Sequence, residues 1–570
     1  MLFCTPSMDP APRAEWTAAQ PGPLSFGGNF PICRKKIFCF KITHVFSKKK
    51  NGTRTSSLKL DRVHSITKSN EEMMKHSYDT VLRNARIYDG TGAAPKEGDV
   101  AVQDGRIVQA GTVRDADSRQ EIDLRGLALC PGFIDVHTHD DFAAVLYPAM
   151  SFKLLGGVTT CIVGNCGFGA APYQESLDFA MATHPNQSFP RWEGYAGYFE
   201  TLEKNPPSLN IGALIGHGTC RKAAMGMEQR APSQNELSRM KQIVREGLNA
   251  GAVGFSTGLV YEPGCYAETD EIVELASLMQ ESGGLYTSHI RNEGAGLPEA
   301  VTEAIRIGER AGVPVQISHH KASGRRHWGS VALSLALIEE AQARGLDVHA
   351  DQYPYTAGST ILSAIVAQGL LAQDGGGIGE MSHADITIAS TAEHPAWEGK
   401  SLQTLAEELG ISLQATVEHV LREEPRTTII LHAMNEDDVQ TVMRHPSTMI
   451  GSDGIPSLDG KPHPRLYGTF ARVLGHYSRN KGLFPMENAI HRMTGLPAKK
   501  FHLADRGFVG EHAFADLLVF DPASIIDIGT FEDPNHYPEG IVHVFVNGVQ
   551  VVQDTRQTNA RPGRVLRRNN

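Results

Sequence analysis

Between Pro131 and Ala498, short apolar segments that end in polar residues alternate with longer stretches of helical spacing. This alternation constrains the fold more than any other feature, because parallel strands need crossovers of a dozen or more residues, usually helices. Eight strand candidates can be placed, ending at His137/His139, Cys166, His217, Ser256, His289, His319, Tyr353 and Asp453. Eight such units predict an α/β protein built on a (β/α)8 TIM barrel, spanning 131–498, with its chemistry at the C-terminal strand ends. The connection after the seventh strand is long, about 357–426, and reads as an insertion placed to act as a lid.

The flanks have a different texture. Alternating strands broken by Asp-Gly pairs fill 77–130, and a similar pattern around Asn547-Gly548 returns in 499–556, so both ends are expected to build one small β-sandwich domain beside the barrel. Residues 557–570 read as a tail. Residues 1–76 hold 13 Lys/Arg against 5 Asp/Glu, with Pro/Gly stretches and no sustained period, and are expected to form a basic, disordered extension with room for a targeting role.

Composition narrows the function. The 570 residues carry 54 basic and 64 acidic side chains, a net charge of −10, which gives the body no electrostatic reason to bind nucleic acid. No window approaches the roughly 18–20 apolar residues needed to span a bilayer, so a membrane partner is not expected either. Eight irregularly spaced cysteines form no disulfide framework and suit a reducing compartment, by default the cytoplasm. A small-molecule substrate is the expectation.

The sharpest chemical signal is PGFIDVHTHDD, with His137 and His139 two residues apart at a strand end. Alternation sends both imidazoles to one side, where they can share a metal ion. His289 in GLYTSHIRNEG and His319 in VPVQISHHKASG close two further strands, and imidazoles from three strands converge only if the strands form a barrel. His320 is expected to point away from its neighbour. His217, in ALIGHGT, can be a ligand, a substrate contact or a core residue. Cys166, in the Gly-rich TTCIVGNCGFGAAP, can bring a thiolate to the same place, whereas Cys161 belongs to the core. Asp453 ends the eighth strand in TMIGSDGIP, where a carboxylate suits a general base that takes a proton from water and returns it to a leaving amine. Asp140 and Asp141 are read as solvated or as hydrogen-bonding to the histidines.

Taken together, these motifs resemble the amidohydrolase superfamily of metal-dependent hydrolases. More narrowly, GNCGFGAAP, TSHIRNEG, ISHHKASG, DQYPYTAGST, MIGSDG and HPRLYGTF resemble the D-aminoacylase, or N-acyl-D-amino-acid deacylase, family from about Tyr78 to Val552. Many superfamily members bridge two metals with a fourth-strand lysine. GAVGFSTG has none here, and Cys166 matches the cysteine that replaces it in this family. The resemblance implies a tightly bound Zn2+ on Cys166, His289 and His319, and a second, weaker site formed by His137 and His139 with Cys166. It implies Asp453 as catalytic base, and Lys321, Tyr353 (in preference to Tyr355), Ser359 and Arg465 as contacts to the substrate carboxylate. The implied substrate is an N-acyl amino acid, and its D configuration rests on the resemblance alone.

Two alternatives frame this reading. A cyclic-amide hydrolase of the dihydropyrimidinase or dihydroorotase kind, or a deaminase, would favour the bridging lysine or a different seventh-strand motif. A non-catalytic scaffold would be expected to lose ligands, whereas all five ligand candidates and Asp453 are present.

Overall fold

The computed structural model describes residues 78–114, 117–367 and 382–568. The expected N-terminal extension therefore lies outside the described residues, as does the glycine-rich part of the insertion.

Eight strands form one parallel sheet in chain order: Phe133–Asp135, Val158–Val163, Asn210–Gly216, Gly254–Gly258, Leu285–His289, Val315–Ile317, Val348–Gln352 and Thr448–Ile450. The first and eighth strands meet just beyond their ends, where Thr138 bridges Gly454 and the Asp453 amide donates to the His137 carbonyl at 2.7 Å. This closure makes the sheet a barrel. The strands are almost wholly buried, which agrees with a parallel sheet covered by helices.

The helices carry the spacing that covering such a sheet requires. In Leu297–Ala311 the buried side chains Leu297, Ala300, Val301, Ala304, Ile305 and Ala311 form one apolar stripe, Pro298 sits in the first turn where no amide donor is needed, and Gly312 ends the helix in the left-handed conformation. In Gln234–Ala250, Ser233 and Glu236 form a reciprocal capping box.

The two chain ends join in a nine-stranded sheet. Its seam is the antiparallel pairing of Leu517–Phe520 with Ala128–Pro131, with Leu518 opposite Cys130. Strands from both ends contribute to one apolar cluster that includes Leu82, Val102, Leu129, Leu517 and Phe545. The two hairpins turn on Asp104-Gly105 and Asn547-Gly548, all four residues at positive φ, as two-residue hairpins of this type demand. Beyond Gln557 the chain runs back along the barrel, and Ile211 exchanges backbone hydrogen bonds with Arg564 and Leu566.

The connection after the seventh strand has its own architecture. Gly358–Ile361, Thr428–Leu431 and Ile386–Ser390 form a three-stranded antiparallel sheet that packs with helices Leu402–Leu409 and Leu413–Glu423 around Leu362, Ile388, Trp397 and Val420. Ser359, Ile361, Ile365 and Leu431 from this unit line a cavity at the barrel mouth.

Among the described residues, no helix is long and apolar enough to cross a membrane.

Candidate active site and metal centre

Few of the residues singled out at strand ends lie within the strands themselves. His289 closes its strand, but Cys166, His319 and Asp453 stand two or three residues beyond theirs, at φ of 53°, 34° and 48°. These left-handed turns swing the side chains back over the barrel axis. Non-glycine residues held there carry strain, a feature that gathers at functional sites. Two glycines make room. A Cβ on Gly451 would sit 2.6 Å from the His137 Cβ, and one on Gly258 would sit 2.1 Å from the Cys166 carbonyl oxygen.

The side chains converge as a result. Cys166 Sγ lies 3.3 Å from His137 Nε2 and 3.5 Å from His319 Nε2, and His319 Nε2 lies 2.9 Å from His289 Nδ1. Asp453 Oδ1 is 3.2 Å from His139 Nε2 and 3.4 Å from His137 Nε2. Two groups that could hold an ion follow: Cys166, His289 and His319, and His137, His139, Cys166 and Asp453. In each group the ligand atoms lie within 4.8 Å of one another, and all these residues are buried. A soft thiolate among imidazoles is a donor set suited to zinc.

Electrostatics favour the thiolate. Burial alone would raise the Cys166 thiol, but His137 and His319 outweigh it and hold the group well below its usual value. Burial likewise opposes a charged Asp453, yet Arg465, His319 and His137 keep it well below the ordinary carboxylate range. His139 is disfavoured as a cation by burial, but its hydrogen bonds to Asp453 and Cys166 raise it to about 9. Cys166 and Asp453 are thus both held as anions among the imidazoles.

The cluster opens into a cavity of about 340 Å3 whose walls include His139, His289, His319, Lys321, Tyr353, Ser359 and Asp453. Arg465, 1 % exposed, stands behind them. Its Nη2 pairs with Asp453 Oδ2 at 2.9 Å, and its guanidinium lies 4.4 Å from the centre of the Tyr353 ring. The Nε and Nη1 of Arg465 are buried without a protein partner. Lys321 Nζ is 2.5 Å from Glu293 Oε1. The Ser359 carbonyl accepts from Arg465 Nη2 at 3.4 Å. Tyr355 faces Asp527 instead and stays out of the cavity walls.

Other candidates separate from the cluster. His217 bonds Glu271 at 2.8 Å, and His320 turns away to Ser334 at 2.7 Å. Cys161 is buried within its strand, and all five cysteines among the described residues are free. Asp141 accepts from the Gly164 amide and does not bond a histidine.

Several residues that build the site escaped the reading of the sequence. Asp351 accepts from His137 Nδ1 at 3.1 Å and from the His319 amide at 2.8 Å, fixing one imidazole and the turn that carries another. Glu293 lies 3.0 Å from His319 Nδ1. Asp135 is bound by Lys153 at 2.8 Å and by the Ser452 hydroxyl and amide at 2.6 and 2.8 Å, which ties the first strand to the turn before Asp453. A carboxylate inside a buried strand was the available signal for Asp135 and Asp351. No local pattern marks Lys153.

Comparison with known proteins agrees with this arrangement. The amidohydrolase family model matches residues 120–552. The chain is 40 % identical over 493 residues to D-aminoacylase from Alcaligenes xylosoxydans xylosoxydans, covering 86 % of this chain and 98 % of that protein. It is 38 % identical over 495 residues to N-acyl-D-glutamate deacylase of the same organism, covering 87 % and 98 %. A crystal structure of N-acyl-D-glutamate deacylase from Bordetella bronchiseptica, complexed with zinc and a phosphonate mimic of the reaction's tetrahedral intermediate, superposes with a TM-score of 0.78. Its sequence identity is 38 %, and the match covers 86 % of this chain and 99 % of that one. With motifs, barrel, convergent cluster and full-length relatives in agreement, the chain belongs to the D-aminoacylase family of the amidohydrolases.

Proposed function

We propose that this protein hydrolyses N-acyl-D-amino acids to a carboxylic acid and a free D-amino acid, with zinc at the centre. Cys166, His289 and His319 would hold the tightly bound ion, and His137 and His139 with Cys166 a second, weaker one. Bound there, zinc supplies a Lewis acid that polarises the scissile carbonyl and activates water. Asp453 Oδ1 takes the proton of the attacking water and returns it to the departing nitrogen, without which the tetrahedral intermediate would revert. The observation that carries the reading is the position of Asp453, which touches the histidines through one oxygen and Arg465 through the other.

The unpartnered Nε and Nη1 of Arg465 are buried N–H donors for the substrate's α-carboxylate. Lys321, Tyr353 and Ser359 complete that end of the cavity and fix the stereocentre against the cluster. The D configuration is carried by the family relationship. The free cysteines suit a cytoplasmic location. Release of free amino acid from N-acetyl-D-methionine and N-acetyl-L-methionine, side by side, tests the reading. Hydrolysis of the D form alone is expected, and cleavage of the L form at a similar rate would refute it.

A further inference from the structure

The amide to be cleaved has two arms, and the residues above account only for the amino-acid arm. Phe168, Phe179 and Tyr261 belong to the walls of the main cavity and also to those of a second, smaller one of about 110 Å3. Phe168 and Phe179 stack with centroids 4.5 Å apart at 17°, and Tyr261 leans on Phe168 at 5.1 Å. The partition rests directly on the cluster, because Phe179 lies 5.2 Å from His139 and Tyr261 lies 4.9 Å from His289. Cys166 lines the side cavity, whereas Lys321, Tyr353 and Ser359 line only the main one.

The two cavities also differ in charge. The main cavity sets Lys321 and Arg291 beside Glu293 and Asp453 and lies against Arg465, whose Nη2 pairs with Asp453 while its Nε and Nη1 have no protein partner, so that its cations outnumber its carboxylates. The side cavity presents Asp141, Glu175, Asp178 and Glu262, and its single cation, Lys222, is paired with Asp178. A carboxylate is drawn to the first and repelled by the second. With the amino-acid arm held toward Arg465, the arm on the carbonyl carbon leaves the cluster toward aromatic faces beside an acidic rim.

We propose that the acyl group of the substrate packs on the Phe168–Phe179 pair and extends into the side cavity, so that these rings set selectivity for neutral acyl chains longer than acetyl. The inference rests on the proposed hydrolysis of N-acyl-D-amino acids and adds to it the chemistry of the acyl arm. Each methylene that leaves water against the rings raises kcat/KM by about fourfold until the cavity is full. A carboxylated chain such as succinyl is excluded by the acidic rim.

The test compares kcat/KM for the N-acetyl, N-butyryl, N-hexanoyl and N-succinyl derivatives of D-methionine in the wild type, Phe168→Ala and Phe179→Ala, with N-acetyl-D-alanine as a control on the amino-acid arm. The wild type is expected to favour hexanoyl over acetyl and to reject succinyl. Each variant is expected to lower the hexanoyl-to-acetyl ratio about tenfold and to leave the methionine-to-alanine ratio in place. Should Phe168→Ala not fold, Phe179→Leu on the half-buried helical position gives the same readout with less loss of packing. An unchanged hexanoyl-to-acetyl ratio in an active variant overturns the proposal alone, as does a shift confined to the methionine-to-alanine ratio. A wild type that cleaves none of these substrates overturns the hydrolase reading, and this proposal with it.

Discussion

Two strand-end histidines with the same sequence signature meet opposite fates. His289 follows the apolar segment GLYTS and His217 the apolar segment GALIG, and both are buried. His217 Nε2 bonds Glu271, which is also gripped by the fully buried Arg221. Arg221 in turn donates to the carbonyls of Pro263 and Arg230. That trio bolts the start of helix His217–Met225 to helix Thr269–Ala276 through His217 Nε2, while His217 Nδ1 has no hydrogen-bond partner. His289 instead points at a second imidazole and, beyond it, a thiolate, with a cavity in front. A histidine at a barrel-strand end is therefore read by its partners: a carboxylate–arginine pair marks a structural role, and converging soft donors mark a metal site.

Substitutions can break this contrast, beginning where the largest effect is expected. Asp453→Asn keeps the shape but removes the base, and kcat should fall by between about 100- and 10,000-fold while zinc content measured by mass spectrometry stays level. Retained turnover would remove Asp453 from the chemistry. Cys166→Ser should lower zinc content and activity together, because the hydroxyl replaces a thiolate that His137 and His319 stabilise. Arg465→Met removes charged hydrogen bonds worth about 1.5–3 kcal/mol, and KM should rise roughly ten- to hundredfold, more than kcat falls. Arg221→Met sharpens the comparison from the other side. It leaves Glu271 buried and half-partnered, which should lower stability by about 3–5 kcal/mol in chemical denaturation, with zinc per folded molecule unchanged. Loss of zinc in Arg221→Met would erase the distinction between the two clusters.

Much of this architecture was legible in the sequence because its signals are local. The eight strands, the hairpins at Asp104-Gly105 and Asn547-Gly548 and the pairing of the two chain ends follow from alternation, turn chemistry and apolar runs. The convergence of His137, His139, Cys166, His289, His319 and Asp453 follows once the barrel closes. What the sequence concealed is conformational or long-range. Nothing in the letters announces that Cys166 occupies a left-handed turn, since cysteine has no preference for one, and a lone His319 is too weak a signal for another. Lys153 reaches Asp135 and Ser452 only after the first and eighth strands, more than 300 residues apart, are joined. The insertion reads in sequence as a lid with helical stretches, yet its described part also holds a small sheet with its own core, because strands Gly358–Ile361 and Thr428–Leu431 pair across the 66 residues between them.

The most direct test of the account is to strip the protein with a chelator, add zinc back in steps, and follow amino-acid release from N-acetyl-D-methionine in the wild type and Cys166→Ser. The account predicts no activity in the stripped protein, recovery as zinc returns to the wild type, and little binding or recovery in the variant. Hydrolysis that survives stripping, or zinc that binds Cys166→Ser as tightly as the wild type, would contradict a metal centre built on Cys166, His289 and His319.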